Sequence, residues 1–177
     1  MLEGAIFYYI KSVRSTEGVN TMIVNTKVFG EVDVDESKII HFTNGIIGFS
    51  DLKDFTLIHN EEEGNQAGIR WMQSLQEPAF AMPVIDPLSI VPTYDPEVND
   101  ELLISLGEID PAEMLVLVTI TAPSDIKKLS VNLRAPIIIN YTNRKACQII
   151  VEGDKYDVKF PIYEILQQAK EAMKEGK

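Results

Sequence analysis

Along most of this chain, apolar residues recur at every second position. Glu31, Asp33 and Asp35 alternate with Val32 and Val34, which is the pattern of a strand with one wet face. A chain built this way must pair its strands and bury the dry faces together, so it folds as a sheet closed or stacked on itself. Further strands are expected at residues 38–42, 55–58, 69–74, 80–85 and 102–106. Residues 114–121 are β-branched and apolar on both faces, which marks a central strand. Three more strands are expected at 136–141, 146–151 and 156–160, and the two short connections between them imply an antiparallel meander.

The punctuation agrees with that reading. Asn44-Gly45 gives a turn, and Glu61-Glu62-Glu63-Gly64-Asn65 gives a polar loop. Pro87, Pro92 and Pro96 make residues 86–100 irregular or place them at a sheet edge. Asp110-Pro111-Ala112-Glu113 sets a cap, a first-turn proline and a glutamate in register for one helical turn. After Pro161 the period changes. Ile162, Ile165, Leu166, Ala169 and Met173 fall at helical spacing, so one amphipathic helix closes the chain, either capping an open barrel end or reaching outward to a partner. The expected fold is mainly β, a single-domain antiparallel β-barrel or sandwich with one C-terminal helix. Residues 1–21 form an atypical extension, 22–160 the β-barrel-like core and 161–177 the helix. Met22 is a candidate for the natural start.

Composition narrows the chemistry. With 177 residues the chain is one domain able to bury a core without staples. A single cysteine, Cys147, excludes an internal disulfide and a cysteine-rich zinc site. No apolar stretch approaches the roughly 20 residues of a membrane helix, and the N-terminus lacks the basic segment of a signal peptide. A cytoplasmic protein is expected. Only His41 and His59 could serve as a histidine base, and neither lies in a nucleophile motif. Gly45-Ile46-Ile47-Gly48 lacks the Lys-Ser/Thr of a phosphate loop, so these glycines read as turn residues. Asp95, Glu97, Asn99 and Glu101 alternate as in a calcium loop but lack its glycine and final glutamate. No cofactor is expected. A hydrolase or lyase with a carboxylate site inside a β-barrel is the alternative class, and a structural subunit assembling through strand edges is a third.

Acids exceed bases by 27 to 16, a net charge of −11, which argues against direct nucleic-acid binding. The imbalance is regional. No Lys or Arg occurs between Arg70 and Lys127, a stretch with ten acids whose densest part is Asp95 to Glu101. That run is either a solvated face or a docking surface for a basic protein.

Four segments carry a resemblance: Phe42-Thr43-Asn44-Gly45-Ile46-Ile47-Gly48-Phe49, Trp71-Met72-Gln73-Ser74-Leu75, Asp86-Pro87, and Asn132-Leu133-Arg134-Ala135-Pro136-Ile137-Ile138-Ile139-Asn140. With Gln148, and in this order and spacing, they resemble the bacterial flagellar assembly factor family, FliW. The resemblance spans about residues 22–160 and leaves out the N-terminal stretch. It implies a small, mainly β, cytoplasmic, non-enzymatic protein. It implies two competing partners: flagellin, and the carbon storage regulator CsrA, an RNA-binding repressor of flagellin translation. Asp95, Glu97, Asp100 and Glu101 are the candidates for docking CsrA. Phe49, Trp71 and Leu133 are the candidates for an apolar groove that takes a flagellin helix, with burial in the core as the competing fate of all three.

Overall fold

The structure, a computed structural model, describes residues 20–59 and 68–175. Residues 1–19, the Glu61–Asn65 loop and the side chain of Met173 lie outside the described residues. The strands are β1 (Thr21–Thr26), β2 (Gly30–Asp35), β3 (Ile40–Phe42), β4 (Asp54–Ile58), β5 (Arg70–Ser74), β6 (Ala81–Ile85), β7 (Met114–Thr121), β8 (Ser130–Val131), β9 (Ile137–Asn140), β10 (Lys145–Gln148) and β11 (Phe160–Pro161). The helices are α1 (Asp100–Leu103) and α2 (Tyr163–Glu175).

Strands β7-β6-β5-β4-β3-β10-β9 follow one another by hydrogen bonding, and β9 pairs back onto β7, which closes a seven-stranded barrel. Six of its junctions are antiparallel, and β3 meets β10 in parallel, with His41 opposite Lys145 and Phe42 opposite Ala146. Alternation then sorts the side chains. Phe42, Phe55, Met72, Val84, Leu117, Ile137, Ile139 and Ala146 point inward and fill the interior. A barrel of this size is a packed core rather than a channel. The neighbouring residues Ile85, Val118 and Ile138 point outward into a second core, covered by residues 90–106, 129–133, 149–162 and α2. The β1–β2 ribbon seals a third face, where Val24, Val32 and Val34 pack with Ile58 and Leu75.

The long central strand is the pivot. The first half of β7 pairs with β9, and its last two residues pair with β8. Its two-sided apolarity follows from facing both cores at once. The expected helical turn is also present. Residues 111–113 wind as a 3-10 turn, and the Asp110 carboxylate accepts from the Ala112 N–H. Asp35, Asp86 and Asp125 cap three further 3-10 turns in the same way. The Asp35 cap starts such a turn at residues 36–38, so the strand expected from residue 38 begins only at Ile40.

One expected strand is not formed and another is cut to two residues. Residues 102–106 wind through the end of α1 into a 3-10 turn. Leu102, Ile104 and Leu106 imitate strand alternation, but the residues that reach the second core are Leu103 and Leu106, three apart on one helical face. The strand expected at 156–160 shrinks to Phe160–Pro161 and pairs with β8, not with β10. The meander therefore ends after the β9–β10 hairpin. Beyond Gln148 the chain runs beside residues 133–136, with Ile149 N–H donating to Pro136 O and Val151 N–H to Arg134 O. Pro136 has no N–H to return, which interrupts the ladder there.

Ile162, just ahead of α2, is completely buried, and α2 packs Ile165 and Leu166 into the second core. Its first turns therefore pack against the cluster that holds the outward-facing residues of the barrel strands.

Candidate functional site

The acidic run stands on a fixed platform. At its root, Tyr94 is buried and its hydroxyl donates to Leu133 O at 2.7 Å, while its ring lies 4.7 Å from that of Tyr156. Burial, with Tyr156 beside it, pushes the Tyr94 hydroxyl well above the ordinary phenol range. Asp95 N–H donates to the Tyr156 hydroxyl at 2.9 Å, and Lys155 reaches the Asp95 carbonyl from outside the acidic stretch. Asn99 then caps α1 by accepting from the Glu101 N–H.

The far end of the platform is bolted to the barrel. Asn140 Nδ2 donates to Leu106 O and Glu108 O, and Asn143 Nδ2 donates to Leu106 O. Burial pushes the Cys147 thiol above its ordinary range, against the hydrogen bond from Ser105, which favours the thiolate. Asn140 is 1% exposed, and its Oδ1 also accepts from Thr142 N–H. Asn140→Ala strands these groups, and it should lower the unfolding free energy by about 2–4 kcal/mol. Urea denaturation measures this, and a change below about 1 kcal/mol would mean water replaces the amide.

All ten acids between Arg70 and Lys127 are exposed. Glu77, Asp86, Asp110 and Asp125 are occupied locally as hydrogen-bond acceptors. The carboxylates of Asp95, Glu97, Asp100 and Glu101 make no hydrogen bond or ion pair with another described residue. Directly after them the helical turn presents Leu102 and Ile104, which are 48% and 74% exposed. Sequence reasoning missed these two because a strand at 102–106 would have turned them inward. The signal that could have found them is the Asn99 cap ahead of two acids.

The three apolar candidates do not come together. Leu133 is 2% exposed and sits in the second core, so it is not available to a partner; it is a packing residue, which corrects the groove expectation. Trp71 is half-buried on the outer side of β5, with its ring edge-on to Phe29 at the end of β1–β2. Phe49 alone is a large exposed side chain, at 50%. It ends a line of aromatic rings running outward from the barrel: Phe42 to Phe55 at 5.2 Å, Phe55 to Phe80 at 6.1 Å, Phe80 to Phe49 at 4.6 Å. Ile47, equally exposed, stands beside it on the same turn. Gly45 is required at the root of that turn. Its φ is +70°, and a Cβ there would lie 2.4 Å from Ser50 O.

Among the described residues, no group of three or more His, Cys, Asp or Glu side chains could hold a metal ion. No helix among them is long and apolar enough to cross a membrane.

The family model described as FliW protein matches residues 23–162. The chain is 44% identical over 146 residues to the flagellar assembly factor FliW of Lachnoclostridium phytofermentans, covering 82% of this chain and 94% of that one. It is 45% identical over 147 residues to the flagellar assembly factor FliW of Lachnospira eligens, covering 82% and 97%. A crystal structure of the flagellar assembly factor FliW superposes with a TM-score of 0.72 at 29% identity, over 80% of this chain and 96% of that one. The matched span takes in the whole closed barrel and the platform on its flank, and the chain belongs to the FliW family of flagellar assembly factors.

Proposed function

We propose that this chain is a non-enzymatic, cytoplasmic regulator of flagellar assembly that binds flagellin and, in competition with it, the repressor CsrA. When flagellin leaves by export, the freed protein captures CsrA and flagellin translation resumes. The observation that carries this reading is the platform from Asp95 to Ile104. Four exposed carboxylates with no partner among the described residues are followed there by two exposed apolar side chains on a tethered segment. A basic protein that grips RNA offers the complementary charge, and Leu102 and Ile104 supply apolar anchors that acids alone lack. Flagellin meets the other apolar surface, the Ile47–Phe49 turn, which suits the apolar face of an unassembled helix.

The alternative of a carboxylate hydrolase fits less well. Acid–base work needs a desolvated carboxylate, and every acid of the richest stretch is exposed.

Titration of the purified chain with flagellin and with CsrA, across a salt series, tests the proposal. Both should bind one to one and displace each other. CsrA affinity should fall about tenfold or more between low and physiological salt, and flagellin affinity should change little. Absence of binding by both at micromolar concentration would overturn it.

A further inference from the structure

We propose that Gln148 is the positioning residue of the Ile47–Phe49 docking turn, setting the geometry of a surface it does not itself form. The inference rests on the reading of that turn as the flagellin site.

The turn is closed at its root by backbone bonds. Gly45 N–H donates to Phe42 O, Phe49 N–H to Ile46 O and Leu52 N–H to Phe49 O. Ile46 points into the barrel interior and is buried. The tip is different. Among the described residues, the only acceptor for the Ile47 N–H is Gln148 Oε1, at 3.1 Å and 101 residues away in the chain. The other end of the same amide, Nε2, donates to Ala135 O at 3.2 Å. One side chain on β10 therefore ties the tip of the turn to residues 132–136.

Burying apolar area does not explain this tie, because it holds in place a segment whose two large side chains face water. Its physical effect is preorganisation. A turn already fixed in its binding shape loses less freedom when a partner docks, and each rotamer-rich side chain ordered in advance improves affinity by several-fold. The Phe80 ring supports Phe49 from below, while Gln148 sets the position of Ile47 from the side.

The test uses the full chain and flagellin. Gln148→Met keeps length and shape and removes both bonds. It should weaken flagellin binding about tenfold and leave the urea midpoint near that of the wild type. Amide exchange should accelerate at Ile47 and stay unchanged across β9 and β10. Gln148→Glu retains the acceptor for Ile47 N–H, so it should restore Ile47 protection and recover affinity to within about threefold. Phe49→Ala serves as the reference for losing the surface itself. If Phe49→Ala loses binding and Gln148→Met binds as the wild type does, Gln148 is not a positioning residue, although the docking turn stands. If Gln148→Met lowers the urea midpoint and loosens all of β10, its role is structural and the proposal falls. Wild-type chain that fails to bind flagellin overturns the docking turn and this inference with it.

Discussion

Replacing Phe55 with alanine should remove about 3–5 kcal/mol of stability, the cost of emptying a buried aromatic site. Phe55 is fully buried on β4, opposite Ile40 on one side and Ser74 on the other. Its ring meets Phe42 inside the barrel and Phe80 toward the surface, both edge-on. The strands around it are hydrogen-bonded into a ring and cannot move inward far enough to fill the void. A domain of this kind has about 5–15 kcal/mol in total, so roughly a fifth or more of its stability is at stake. Trp71, the chain's single tryptophan, reports unfolding from outside the barrel, and urea denaturation followed by its fluorescence gives the number. A loss below about 1.5 kcal/mol would show that Phe80 swings into the space. Phe49 at the other end of the same aromatic line is half exposed, so its truncation should cost under about 1 kcal/mol. The contrast separates the ring that holds the fold from the ring proposed to meet a partner.

Reversing Asp95, Glu97, Asp100 and Glu101 together to lysine should weaken CsrA binding by about 10–100-fold at low salt. These carboxylates have no partner among the described residues, so the fold loses no bond when they change. The loss should appear mainly as slower association, because exposed charges act over the screening length before contact is made. Raising the salt should bring variant and wild type together. Flagellin affinity should hold, since the Ile47–Phe49 turn carries none of the reversed charges. Stopped-flow association at two ionic strengths reads both effects. Equal rates at low salt would leave the acidic run as a solvated face only.

Much of the architecture was readable from the residues. Alternation at 31–35, two-sided apolarity at 114–121 and the change of period after Pro161 correspond to β2, β7 and α2. The Asp110 cap works as its spacing predicts. These features are local: a strand's wet face, a cap and an amphipathic helix are each decided within a few residues. The misreadings share one cause. Leu102, Ile104 and Leu106 fit a period of two, and Leu103 and Leu106 fit a helical period equally well. Only the presence of the second core beneath α1 chooses between them. Tyr156, Val158 and Phe160 alternate as cleanly as any strand. However, Tyr156 is held by Tyr94 and Asp95, so the segment follows those contacts and not the β10 edge.

The amino-acid sequence by itself determined that this protein would be mainly β, that its middle would carry unrelieved negative charge, and that a helix would end it. Those properties follow from side-chain period and composition, which act at short range. Only the tertiary structure decided that the sheet closes on itself through the parallel meeting of β3 and β10, and that Leu133 goes inside while Phe49 stays out. It also decided that Ile47 would find its hydrogen-bond partner 101 residues away. Contacts between distant segments depend on how all the strands share a single core, and no local pattern in the chain encodes that choice.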